Sequence, residues 1–104
     1  MIARIWHGWT THENASEYEQ LLREEIIPEI EEKGGSGCRS IQLLRKTREE
    51  EVEFMTIILF DSLESVKSFA GEDYEHAYIP VKARKILKRY DDRAQHYEVC
   101  EQRE

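Results

Sequence analysis

No apolar run in this chain comes near the roughly eighteen residues that a membrane-crossing helix needs, so a membrane partner is not expected. Positive charge is also short. Fifteen Lys and Arg stand against 22 Asp and Glu, for a net charge of -7. A surface of that sign repels phosphate backbones, which argues against nucleic-acid binding. Cysteine is scarce: Cys38 and Cys100 lie far apart, in no metal-ligand spacing, and a reducing compartment leaves them as free thiols. No phosphate loop, nucleotide fingerprint or nucleophile elbow occurs. The start, MIARIWHGW, is neither an apolar signal region nor an Arg-rich transit helix, so the expected location is cytoplasmic.

What is present reads as one domain over residues 1–100, with residues 101–104 as a frayed tail. IARIWHGWT (2–10) has the β-branched and aromatic content of a strand. Asn14 and Glu17 stand three apart, the spacing of a capping box. Tyr18, Leu21, Leu22, Ile26 and Ile30 then recur at helical spacing, with Pro28 expected to end or kink the helix. GGSG (34–37) closes it. CRSIQLLR is a second strand, with Ile41 and Leu43 on one face and Gln42 and Leu44 on the other. VEFMTIILF (52–60) is the most apolar stretch and reads as a central strand covered on both faces. Asp61 or Ser62 can cap a second helix, which breaks at Gly71. Pro80 suits the first residue of a third short helix ending near Tyr90, and AQHYEVC (94–100) alternates as a last strand.

The order strand, helix, strand, strand, helix, strand predicts an α+β, ferredoxin-like βαββαβ sandwich. Its helices would cover one face of a four-stranded antiparallel sheet. The other face would expose apolar residues to water, and a second copy packed sheet to sheet removes that exposure. A symmetric homodimer is therefore expected.

Three segments, IARIWHGWT, LFDSLESVKSFAGEDYEHAYIP and HYEV, resemble the antibiotic-biosynthesis-monooxygenase-like family over residues 2–99. The resemblance implies a dimeric α+β barrel with a pocket between the sheet and its helices. That family includes cofactor-free quinone-forming monooxygenases, haem-degrading enzymes and isomerases. The haem-degrading members use an Asn on the first strand with a Trp and a His in the second helical region. Here the one Asn is Asn14, past the strand, and neither Trp lies after Trp9. Phe69 stands near the place of that Trp, and His76 is offset from the place of that His. The resemblance therefore implies no haem, and no other cofactor is expected.

Within SFAGEDYEHAYIP (68–80), Tyr74, His76 and Tyr78 fall inside five residues. In a functional reading Gly71 breaks a helix and the chain lips over the pocket. His76 would act as general base or proton shuttle, since an unperturbed imidazole titrates near neutrality. Tyr74 and Tyr78, four apart on one side of a helical turn, would stack on a planar substrate. In the plainer reading Asp73 caps a turn, the tyrosines plug the gap between helix and sheet, and His76 faces water.

His7 is the second candidate base. Ala3, Ile5, His7 and Trp9 share one face of the first strand, and Ile2, Arg4, Trp6 and Gly8 share the other. If the Ala3 face lies under the helices, His7 points into the pocket. In the other register Trp6 is inside and His7 lies at the dimer seam. Alternation alone leaves both open, so Trp6 and Trp9 stand with Phe69, Tyr74 and Tyr78 as candidate substrate-binding rings. Gly8, between two aromatics, suggests a bulge or a close backbone approach. His12 and His96 complete the four histidines, and their spacings give no metal motif. Three functions remain. They are a cofactor-independent monooxygenase or isomerase on a small aromatic or polyketide-like compound, a non-catalytic binder of a small hydrophobic ligand, and a structural or stress-related dimer.

Overall fold

In the computed structural model, which describes residues 1–104, the β-branched front stretch forms β1 (Ile2–Thr10). Helix α1 covers residues 15–34 as Ala15–Leu21, a π-helical turn at Leu22–Ile26, and Ile27–Gly34. A tight turn at Gly35–Gly37 leads into β2 (Cys38–Thr47), which is followed by β3 (Val52–Phe60). The rest comprises α2 (Leu63–Ala70), α3 (Val81–Ile86) and two short strands, β4 (Arg89–Tyr90) and β5 (Gln95–Glu98). No helix is long and apolar enough to cross a membrane.

The sheet is open and antiparallel, in the order β2-β3-β1-β4, with β5 also paired to β1. It holds five strands where four were expected. β4 pairs with Gly8 and Trp9, and β5 pairs with Ile2 through Ile5, so the two share one edge of β1. The break between them has a local cause. A carboxylate oxygen of Asp91 accepts from the His7 amide at 3.1 Å, and the Asp91 amide donates to the His7 carbonyl at 3.0 Å. A side chain thus stands where a strand partner would be. The expected third helix stops at Ile86, where Leu87 turns extended, and residues 89–90 return to the sheet.

β1 and β3 pair without a bulge from Ile2 opposite Phe60 to Thr10 opposite Val52, so their even-numbered residues share a face. The helices cover that face, where Val52, Phe54 and Phe60 are completely buried. Each such side chain contributes about 1.5–3 kcal/mol when taken out of water. β3 is central, as its composition predicts, but only half of it is buried. Met55, Ile57 and Leu59 are partly open on the far face, correcting the expectation of a strand covered on both sides.

Two sequence signals act differently from the expectation, and a third resolves to one of its two alternatives. Asn14 precedes α1 but already has helical backbone angles, and its side chain makes no cap hydrogen bond. Its side-chain Nδ2 donates instead to the Ile86 carbonyl at 3.3 Å, tying α1 to the end of α3. Pro28 does not end its helix, which continues to Gly34. The π turn just before it widens the coil where the proline ring would meet a carbonyl four residues back. Gly8 reflects a close approach and no bulge: a Cβ there would lie 2.7 Å from the Trp6 ring. Ser62, by contrast, caps α2 as its position predicts, accepting from the Ser65 amide at 3.2 Å.

Candidate functional site

The buried face carries two separate apolar clusters, one around Tyr18, Leu22 and Phe54 and one around Ile58, Phe60 and Val66. Walls from both enclose a cavity of about 240 Å³ between sheet and helices. Arg4, Trp6, Thr56 and Ile58 form its floor from β1 and β3, and Tyr18, Leu22, Ile26 and Ile30 of α1 form one wall. Leu22 and Ile26 are the two ends of the π turn, a feature that recurs at functional sites. The mouth is framed by Phe69 and Ala70 of α2 and by residues 76–80. A second depression, about 230 Å³ around Glu19, Arg23 and Arg45, has no apolar wall. Its charges pair with one another, so it offers a ligand little.

Gly71 makes the mouth possible. It caps α2 with φ at 92°, a conformation that glycine takes without strain. Residues 72–80 then cross the cavity as an irregular lip. The Ala77 amide donates to the Asp92 carbonyl at 3.0 Å and the Ala94 amide to the Glu75 carbonyl at 2.7 Å. Arg93 adds pairs to Asp73 at 2.6 Å and Glu75 at 3.4 Å. The lip is therefore fixed along the break between β4 and β5.

The floor carries one buried charge. Arg4 is 7% exposed, and burial alone lowers its pKa from the usual arginine value, with no carboxylate beside it. Its Nη1 donates to the Tyr74 carbonyl at 2.5 Å and approaches His96 Nε2 at 3.0 Å, and its Nη2 reaches the His76 carbonyl at 3.4 Å. The guanidinium carbon also lies 5.6 Å from the centre of the Phe69 ring, and Lys33 Nζ lies 5.3 Å from it. Every partner of Arg4 is neutral.

Among the residues singled out from sequence, Trp6, Phe69, His76 and Tyr78 line the cavity. Trp6 donates its indole N–H to the Asp91 carbonyl at 2.8 Å, which leaves the ring for the cavity. His76 and Tyr78 stand at the mouth, both exposed. Tyr74 does not line the cavity. Its ring packs edge-on against His96 at 5.1 Å, and residues 74–78 form no helical turn, so it and Tyr78 are not a stacked pair. His7 and Trp9 lie on the opposite face of β1 and are remote from the cavity. His7 Nδ1 is 2.9 Å from Asp91 and its ring stacks on Trp9 at 5.8 Å, with Arg89 over the indole at 3.9 Å. This selects the register with Trp6 inside and His7 on the open face.

Sequence reasoning gave Arg4, Tyr18 and His96 no place in the site. An arginine between Ala3 and Ile5 in a strand reads as solvent-facing, and only the pairing of β1 with β3 and β5 turns it inward. Tyr18 did appear in the helical stripe, but as packing alone. No three His, Cys, Asp or Glu side chains converge as metal ligands. Neither a protein-family model nor any curated protein sequence matches the chain.

Proposed function

We propose that this chain is a ferredoxin-like domain related to the antibiotic-biosynthesis-monooxygenase-like proteins, and that it binds a small, mostly apolar molecule in the cleft beneath its lip. The observation that carries the reading is the aromatic and aliphatic cavity with one buried cation on its floor. At about 240 Å³ it exceeds the roughly 150 Å³ that holds benzene. It falls short of the roughly 300–1,000 Å³ of drug-sized sites, which favours one or two rings over a tricyclic polyketide.

A homodimer belongs to the same proposal. The chain exposes 6943 Å², whereas a compact monomer of its size exposes about 6,100 Å². A standard interface takes roughly 800 Å² from each partner. The open sheet face, with Ile5, Met55, Ile57, Leu59 and the exposed Leu44 and Tyr97, is where that area is most apolar. Two copies packed through it would form a dimeric α+β barrel with both cavities on the outside.

The test is methyl and aromatic NMR of the protein titrated with one- and two-ring compounds. Saturable shifts confined to Trp6, Ile26, Ile58 and Phe69 are expected. Shifts scattered over the surface, or none, would overturn the reading.

A second reading, cofactor-free oxygenation, draws on one observation: His76 lines the mouth, and its ring is engaged with no other side chain. His76 would take a proton from a phenol-like substrate, and O2 would oxidise the resulting anion directly. One oxygen atom would enter the product and the other would leave as water. Protein-dependent oxygen uptake that collapses in His76→Ala would establish it. Since His76 is exposed, that variant should stay within about 0.5 kcal/mol of the parent in stability.

A further inference from the structure

We infer that the occupant of the cavity is an organic monoanion, such as an aromatic carboxylate, whose charged oxygens sit against Arg4 while its ring fills the apolar part. The inference rests on the ligand-binding reading above and names the ligand class for that site.

A guanidinium has five N–H donors. The three contacts of Arg4, to two carbonyls and one imidazole nitrogen, leave Nε–H and one Nη2 proton without a protein acceptor. The charge itself has no counter-charge. A buried ion compensated only by dipoles is costly, and breaking a buried pair by removing one partner is strongly destabilising. Arg4 is in the position of such a half-pair. A bound carboxylate would supply the missing half, and its two oxygens match the planar fork of the guanidinium.

The surroundings point the same way. His96 faces Arg4 through a ring nitrogen that must accept, so it is held neutral and adds no second charge. Tyr18 lines the same cavity, is 1% exposed, and has its pKa raised above the usual phenol value by burial alone. It therefore remains a neutral donor at any ordinary pH. The other charged groups at the cavity are Lys33 and Glu29, both at the exposed mouth. With Arg4 they leave a local excess of one positive charge in a chain whose net charge is -7. A neutral ring would fit the walls but would leave Arg4 unpaired.

The experiment compares acids with their own amides, so that shape is constant and charge alone changes. Benzoate against benzamide and 2-naphthoate against 2-naphthamide are titrated calorimetrically into the full chain at pH 7. The acids should bind roughly tenfold or more tightly than the amides, and Arg4→Gln should abolish that difference while still binding the amides. Because Arg4→Gln could fail to fold, the Arg4 Nε–H resonance of the unaltered chain is followed as well. It should move with benzoate and not with benzamide. Equal binding of acid and amide would overturn the anion assignment and leave the ligand-binding reading standing. Binding by neither, with the Arg4 resonance unmoved, would remove both. An acid preference that survives in folded Arg4→Gln would overturn the Arg4 seat.

Discussion

Arg4 fixes the protonation of His96: Nη1 of the guanidinium lies 3.0 Å from Nε2 of the imidazole. Arginine only donates, so Nε2 accepts and the His96 proton sits on Nδ1, where it is buried without a partner. Burial lowers the His96 pKa, the Arg4 charge adds to the shift, and Glu75 acts weakly the other way. The sign of the effect on folding follows. Above about pH 6.5 the ring is neutral in both folded and unfolded chains and contributes no pH dependence. As pH falls below that value, the unfolded chain takes up a proton that the folded chain refuses, so stability declines until the lowered folded pKa is reached. Urea midpoints at pH 7.5 and 5.5 should therefore drop further for the parent than for His96→Gln, which can still accept from Arg4. Equal drops would refute the assignment.

Gly8→Ala should cost about 1–3 kcal/mol, because its Cβ would meet the Trp6 ring at 2.7 Å and a Leu87 methyl at 3.0 Å. The ring can yield only by leaving its bond to the Asp91 carbonyl. Denaturant midpoints give the cost, and a shifted indole N–H resonance shows that Trp6 moved. A silent spectrum with a full loss of stability would place the strain elsewhere.

Tyr18→Phe separates ligand binding from folding. No hydrogen bond moves the Tyr18 pKa, so losing the hydroxyl should leave stability within about 1 kcal/mol. Benzoate affinity should weaken several-fold while benzamide changes less. A large fall in stability would mean that the hydroxyl has a structural partner.

Ile57→Lys tests the open sheet face. Ile57 lies opposite Ile5 on β1 and Gln42 on β2, near the middle of that face. A charge there should shift sedimentation from dimer to monomer and leave the far-ultraviolet spectrum unchanged, since the position is only partly buried in a single chain. A variant that still sediments as a dimer would move the interface to another surface.

Much of the architecture was legible in the residues. The β-branched content of 2–10 and 52–60, the stripe from Tyr18 to Ile30 and the stop at Gly71 each mark an element that exists. The parity of β1 was not legible, because both of its faces carry aromatics and neither is plainly polar. The register with β3 supplies that answer, and it separates the two candidate histidines: His76 borders the cavity and His7 does not. Residues 89–90 looked like the end of a helix since two residues are too few for alternation to show. Arg4 was invisible for a similar reason. A lone charged residue in a strand carries no sign of which way it faces, and the observation that matters, the lack of any acid beside it, exists only in three dimensions.

The break between β4 and β5 has a consequence for traffic into the cavity. The strip of backbone at residues 92–94 is left unclaimed by β1 and is used instead by the lip, through Ala77 to Asp92 and Ala94 to Glu75. Under the ligand-binding proposal, admission would be tied to main-chain bonds at the margin of the sheet rather than to the turning of a single side chain. Exchange should keep the slow clock of edge fraying, and the amides of Ala77 and Ala94 should report it by trading their protons for deuterium in step.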